Sequence, residues 1–261
     1  MIKVLSGWGG PGGSTVAFSN LVNLFNKYDS PACFYTPTKW EGISCKWDGL
    51  DNLKLSNEDV LIYHFMELTV RPPVKKIVLS CHETNLFPLK EKKHLAHDDI
   101  VFVSEFQKHW HDVDGVVIPN VITEYKKGNI KNYNKTAGII GSIDPHKGVH
   151  DSINRALSSK DVSEVIIYGA ITDRNYFESK VAPLLSPKVS YRGVSTDMQS
   201  VYDEVDVVYS SSKRECLPMI QGECLKMGME YRGLDHNTRD PSDYESNDEI
   251  ILEKWKTCLE L

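Results

Sequence analysis

Short apolar runs alternate along this chain with segments of helical period. The runs at 2–6, 32–36, 59–63, 76–80, 100–103 and 115–118 have strand length, and polar or periodic stretches separate them. That alternation predicts βαβ units and a mainly parallel sheet. After the first run, STVAFSNLVNLFNKY places Val16, Leu21, Leu24, Phe25 and Tyr28 on one helical face, with Ser14 or Thr15 placed to cap it, and so predicts an amphipathic helix. Residues 104–112 predict another. The segment VITEYKKGNIKNYNK, 121–135, turns polar and basic without a period and predicts a linker. A second set then opens at 136–143 and continues through a helix near 149–158, a strand at 164–170, a helix near 173–185, a strand at 188–193, a helix near 197–204 and a strand at 205–211. No sequence repeat relates the two sets. The expected organisation is α/β, with two Rossmann-like domains at 1–125 and 126–235 and a tail at 236–261. In the tail, Ile250, Ile251, Trp255, Cys258 and Leu259 suggest one terminal helix. Ligands of such folds bind at the carboxyl ends of the strands and, in two-domain versions, in the cleft between.

Composition narrows the class of protein. With 261 residues, 41% hydrophobic and 25% charged, the chain can bury a core in each domain, which excludes disordered and fibrous readings. Lys and Arg total 30 against 36 Asp and Glu, so the formal charge of −6 provides no general attraction for nucleic acid and leaves only a local basic surface open. The cysteines at 33, 45, 81, 216, 224 and 258 show neither Cys-x-x-Cys pairs nor matching histidine spacing, which argues against a zinc site or a disulfide framework. MIKVLSG meets glycine too early for a signal-peptide core, and no later stretch approaches the length of a membrane span. These features describe a reduced, cytoplasmic protein, in which the glycosylation pattern at Asn134-Lys135-Thr136 carries no meaning.

Candidate chemistry gathers at predicted strand ends. In GWGGPGGS, Gly7, Gly9 and Gly12 satisfy G-x-G-x-x-G between a strand and a helix, where backbone N–H groups could hold a phosphate or let a sugar approach. A dinucleotide fold also needs an acid ending the second strand. PACFYTPT, 31–38, has none, and only Glu41 lies beyond, so the NAD reading is disfavoured. His64 ends DVLIYH and His82 ends LSCH, the positions where a parallel sheet exposes its working groups. His94 with His97 and His109 with His111 fall on polar segments and read as solvated surface. In GSIDPHKG, 141–148, Lys147 directly precedes a helix and is placed to meet a phosphate at the helix end. Finally, VDVVYSSSKRECLPMIQGECLKMG runs from a buried strand into a helix that Pro218 would start and Gly228 would end. Glu215 then lies in the loop and Glu223 inside the helix. The missing Ser, Thr, Asp or Asn cap leaves the first N–H groups to an external anion.

These segments together resemble the GT-B glycosyltransferases of family 4, the retaining class that uses nucleotide sugars. Residues 206–228 are similar to its Glu-x7-Glu region. VSEFQKHWHDVDGVVIPN is similar to the end of its first domain, TAGIIGSIDPHKG to the start of its second, and VSYRGVSTDMQSVYDEVDVVYSSSKRE to the approach to the paired acids. GGPGGS resembles its glycine loop, and DVLIYH and LSCHET its two histidine-bearing strand ends. The resemblance spans the chain to about residue 230 and implies two Rossmann-like domains facing a central cleft, with the terminal helix returning to the first.

The resemblance also implies roles. Glu215 would bond the donor sugar's hydroxyls and Glu223 the ribose diol, as carboxylates with two acceptor oxygens can. Lys147 would offset the diphosphate charge, helped by N–H groups around Leu217, Pro218 and Met219. Gly10, Gly12 and Gly13 would lie near the diphosphate and acceptor, His64 or His82 would touch the transferred sugar, and Gly193 and Val194 would lie near the base. The donor would be a UDP- or GDP-linked sugar, with no cofactor and no metal. An acceptor hydroxyl would attack from the face the diphosphate leaves, making the protein a retaining hexosyl or pentosyl transferase. Two departures stand out: the family's phosphate-binding arginine is Ser142 here, unless Lys213 or Arg214 supplies the charge, and the chain is short after Gly228. A related GT-B epimerase or phosphorylase, or a non-catalytic nucleotide-sugar-binding protein, would keep the same donor residues. The acceptor class stays open between glycan, protein and a hydroxylated DNA base, the last suggested by the modestly basic stretch from Lys90 to Lys135.

Overall fold

The computed structural model describes residues 1–83, 96–126 and 133–261. The chain forms two compact units, Met1–Ile122 with Ser242–Leu261, and Thr123–Pro241.

In the first unit, β1 (Ile2–Ser6), β2 (Ala32–Thr36), β3 (Trp47–Gly49), β4 (Val60–His64), β5 (Lys76–Cys81), β6 (Asp99–Phe102) and β7 (Val116–Val117) form one sheet in the order β3-β2-β1-β4-β5-β6-β7. Every pairing is parallel, and β1 sets Ser6 opposite His64. The central strands are buried along their whole length, as strands covered on both faces must be. Helix α1 (Gly13–Lys27) buries Phe18, Leu21, Val22 and Phe25 against the sheet. The expected caps act differently: the helix begins earlier, at Gly13, so Ser14 and Thr15 lie inside it, and Thr15 Oγ1 donates to Gly10 O at 2.8 Å. Helix α2 (Glu105–His111) is capped by Ser104, whose Oγ accepts from Gln107 N at 3.2 Å.

In the second unit, β8 (Lys135–Ile140), β9 (Val162–Tyr168), β10 (Val189–Gly193), β11 (Val207–Tyr209) and β12 (Glu230–Arg232) pair in the order β10-β9-β8-β11-β12, again all parallel. Helices α3 (Val149–Leu157), α5 (Met198–Glu204) and α6 (Met219–Met227) connect them. Between β9 and β10 the expected single helix is a composite, α4 (Arg174–Tyr176) followed by a π turn at Phe177–Val181 and a 3-10 turn at Ala182–Leu184, where Pro183 fits only a tightened start. Strands β3 and β12 were not expected; each is three residues long and only partly buried, too short for a clear period.

The division between units differs from the expected boundaries at 125 and 235. Residues 236–241 join the second unit because Asn237 and Arg239 bond to the loop before α6. The last helix, α7 (Asp248–Leu259), belongs to the first, burying Ile251, Leu252, Trp255 and Leu259 in the core that holds α1. Trp255 meets Phe25 edge-on at 6.3 Å. Ile250, expected in that apolar set, is 42% exposed. Of the expected linker, 127–132 lies outside the described residues, as do His94 and the parts 90–95 and 127–132 of the basic stretch from Lys90 to Lys135. Among the described residues no helix is long and apolar enough to cross a membrane, and all six cysteines are free thiols.

Candidate active site

Two groups of candidate residues form, one in each unit. In the first, the parallel register brings the ends of β1, β4 and β5 side by side. Gly7 N donates to His64 O at 3.1 Å, tying the glycine loop to the end of β4. The His64 side chain is buried. Its Nδ1 lies 3.1 Å from Ser80 O, and because a carbonyl only accepts, that nitrogen carries the hydrogen. Its Nε2 lies 3.3 Å from Glu83 Oε1, so the second ring nitrogen also faces an acceptor. His82 stands at 5.1 Å from the His64 ring, nearly perpendicular to it, with Nε2 at 3.3 Å from Ser80 Oγ. Phe18 of α1 touches both rings, at 5.0 and 4.7 Å between centroids.

The two histidines thus differ. His64 lies behind, with both nitrogens engaged. His82 keeps part of its surface open and lines a small recess with Ala17, Phe18, Leu21, Ser80 and Val103. The surrounding protein penalises a charged ring, and the neighbouring His64 adds to that penalty against the opposing pull of Glu83, which lowers the His82 pKa to about 3. Burial opposes ionisation of Glu83, but the attraction of His64, its hydrogen bond and the nearby His82 outweigh it and hold that carboxyl below its usual value.

Glu83 lies within LSCHET, where an acid beside a histidine carries no spacing signal of its own and the sequence assigns it no role. Its carbonyl is anchored from α2 and β5: it accepts from His111 Nε2 at 2.7 Å, Gln107 Nε2 at 3.0 Å and Cys81 Sγ at 3.4 Å. This corrects the reading of His111 as solvated surface. It faces inward on α2, stacked on Phe102 at 5.7 Å, whereas His109 is exposed as expected.

The glycine loop also has a structural use. A Cβ on Gly10 would lie 2.5 Å from Trp8 Cζ2, so the bare backbone makes room for the Trp8 indole, which remains 46% exposed. Gly12 lies under the same ring, and Gly13 opens α1.

In the second unit, Lys147 and Glu215 meet directly, Nζ to Oε1 at 2.6 Å. Lys147 is placed by the turn before α3. Asp144 Oδ1 accepts from His146 N at 2.8 Å and Lys147 N at 2.9 Å, and Gly148 follows with φ +59°, where a Cβ would also strike Ser211 O at 2.4 Å. Burial works against the Lys147 charge and Glu215 works for it, with a net upward shift; for Glu215 burial is likewise overcome, by Lys147, and its pKa is lowered. Ser142, where the resemblance leads one to expect an arginine, donates to Asp144 Oδ2 at 2.6 Å. Lys213 is exposed, and the Arg214 carbonyl accepts from His146 Nε2 at 2.9 Å.

Glu215 sits in the loop between β11 and α6, and Glu223 inside α6. Pro218 occupies the N-cap of α6 with no side-chain cap, and Gly228 closes it in the left-handed conformation. Leu217, Pro218 and Met219 are buried at this helix start. Glu223 is 3% exposed, and Tyr202 Oη donates to its Oε2. Burial raises the Glu223 pKa to about 7 against that hydrogen bond. The paired acids therefore occupy different surroundings, one ion-paired in a loop and one buried beneath a tyrosine. Gly193 ends β10 with φ +82°, and Val194 is 45% exposed.

Arg239, absent from the expected site, braces the Glu215 loop from behind. It is buried, and its guanidinium donates to Cys216 O at 3.1 Å, to His236 O at 3.2 Å and to Glu215 O. Asn237 Oδ1 accepts from Glu215 N at 3.2 Å, and Asn237 Nδ2 donates to Ser212 O. Among the described residues no three His, Cys, Asp or Glu side chains are grouped as metal ligands.

No family model and no curated protein matches the chain. Solved structures do. HepE from Anabaena, in complex with UDP-glucose, aligns over 99% of this chain and 89% of its own at 14% identity with a TM-score of 0.68. WaaG, a glycosyltransferase involved in lipopolysaccharide biosynthesis, aligns over 100% and 91% at 12% identity with a TM-score of 0.65. A glycosyltransferase from Rickettsia africae aligns over 99% and 88% at 14% identity with a TM-score of 0.60. The fold is α/β and of the GT-B type.

Proposed function

We propose that the protein is a retaining glycosyltransferase that moves a sugar from a UDP- or GDP-linked donor to an acceptor hydroxyl without a metal ion. The observation that carries this reading is the Lys147–Glu215 pair at 2.6 Å beside the uncapped start of α6. A nucleoside diphosphate sugar needs a cation and helix N–H groups for its phosphates and a carboxylate for its hydroxyls, and this loop brings those groups together. On binding, the diphosphate would draw Lys147 from Glu215 and release that carboxylate to the sugar. Lys147 and the N–H groups of Leu217 and Met219 would then stabilise the leaving diphosphate, the part a divalent ion plays elsewhere. Glu223 would hold the ribose diol, Gly193 and Val194 would border the base, and Gly12 and Gly13 would approach the diphosphate. The structures of HepE hold UDP-glucose or UDP, which supports a UDP-linked donor. Free thiols and a soluble nucleotide donor suit the cytoplasm.

Ser142 favours a second reading. It pairs with Asp144, so the place of the family's arginine carries a carboxylate neighbour instead of a cation, which would weaken phosphate binding and suit a nucleotide-sugar-binding protein without turnover. A mass-spectrometric screen of UDP- and GDP-sugars for binding and slow hydrolysis separates the two. At least one donor is hydrolysed, and Glu215→Ala is slower by about tenfold or more, the loss of one charge-assisted hydrogen bond. Binding without hydrolysis selects the second reading, and equal rates remove Glu215 from the mechanism.

A further inference from the structure

We infer that Tyr202 is a positioning residue for the donor: by donating to Oε2 of Glu223 it fixes that carboxylate and leaves Oε1 as the oxygen that meets the ribose. The ribose role of Glu223 rests on the glycosyl-transfer reading above, while the geometry that holds its carboxylate lies wholly in the second unit. Among the described residues, Tyr202 Oη is the one hydrogen-bond donor to this carboxylate. Glu223 is 3% exposed, and the last torsion of a glutamate is broad and roughly twofold. Without a partner its carboxylate would be a buried charge free to turn. A hydrogen bond to one oxygen removes that freedom and reserves the other oxygen for a ligand.

The phenol is itself held in place. Tyr202 is 1% exposed on α5, in a buried apolar cluster with Val205, Val208, Cys224 and Met227. The helix is fixed at its start by Asp197, whose carboxylate accepts from Ser200 N at 3.1 Å. Tyr125 lies against the Tyr202 ring, 5.2 Å between centroids, and a reciprocal pair ties the next residue to α5: Lys126 N donates to Gln199 Oε1 at 2.8 Å, and Gln199 Nε2 donates to Lys126 O at 3.1 Å. Burial, and then the nearby Glu223, push the Tyr202 pKa upward, so the hydroxyl keeps the hydrogen it donates. Packing alone does not account for the pair. A phenylalanine beside an apolar residue of similar size would fill this cluster without the cost of burying a hydroxyl and a carboxylate.

The test is calorimetric titration of the full chain and of Tyr202→Phe with UDP or GDP, whichever the wild type binds, and with the analogue of that nucleotide lacking both ribose hydroxyls. It is run at about pH 8, where Glu223, with its pKa of about 7, is mostly ionised. Tyr202→Phe should bind the nucleotide about tenfold more weakly, while wild type and variant should bind the analogue alike to within about twofold. A variant that weakens both ligands equally acts on the fold alone and overturns the inference, and so does one that weakens neither. Where Tyr202→Phe does not fold, proton NMR of the wild type decides. The phenolic hydrogen of Tyr202, identified by its proximity to the Tyr125 ring, should be protected from exchange before and after the nucleotide is added, and its loss on addition overturns the inference. A wild type that binds the nucleotide no better than the analogue removes the ribose role of Glu223, and one that binds neither removes the donor reading. Either result takes the inference with it, and both differ from a failure of Tyr202 because they appear without any variant.

Discussion

At the scale of single residues, Glu223 shows how a carboxylate's position in the fold changes its chemistry. Its pKa rises from 4.5 to about 7 because burial disfavours the charged form. The native state therefore holds a proton that the unfolded chain has already lost between those values. Stability must fall as pH rises through that window and level off above it, by at most about 3 kcal/mol. Urea unfolding at pH 5 and pH 8 should show this decline in the wild type, and Glu223→Gln should flatten it. If Glu223 meets the ribose as a carboxylate, donor affinity should rise across the same window, because the bound form requires the proton to leave. Titrating UDP at both pH values checks the sign. His64 and His82 were legible as strand ends, but their unequal burial, and the part of Glu83, depend on neighbours from α1 and β5 that no spacing reveals.

At the scale of elements, the loop that carries Glu215 depends on the segment after β12. Arg239 satisfies buried carbonyls of Glu215 and Cys216, so Arg239→Met should cost about 1–3 kcal/mol for the acceptors left unpaired. It should also slow donor hydrolysis, measured beside thermal unfolding, because Glu215 loses its brace. The C-terminal helix makes a separate test. Trp255→Ala should cost about 3–5 kcal/mol as a large-to-small change in the core, while Ile250→Ala, at an exposed site, should stay within about 0.5 kcal/mol. The apolar spacing of α7 was readable. Its inner face was only partly so, since Ile250 and Ile251 are adjacent and only packing against α1 decides between them. Helix α6 was readable to within a residue at both ends, because Pro218 and Gly228 carry strong conformational preferences.

At the scale of the whole molecule, the formal charge of −6 bears on the acceptor. A protein that docks on DNA gains affinity by neutralising phosphates, and its binding weakens steeply with salt. No retention on a double-stranded DNA column at about 50 mM salt is the expected result, and salt-sensitive retention would restore a nucleic-acid acceptor. The alternation of apolar runs and helical periods was sufficient for two parallel α/β sets, since a strand covered on both faces must be apolar along its length. It also fixed the positions of Lys147, Glu215, Glu223, His64 and His82 relative to strand and helix ends. Tertiary structure decided the rest: that Lys147 reaches Glu215, that Glu223 lies beneath Tyr202, that Arg239 belongs to the second unit, and that Glu83 faces His64. Those relations join residues from 19 (His64 and Glu83) to 68 (Lys147 and Glu215) positions apart or depend on local burial, and periodicity encodes only which face of an element is apolar, never which side chain on another element it will meet.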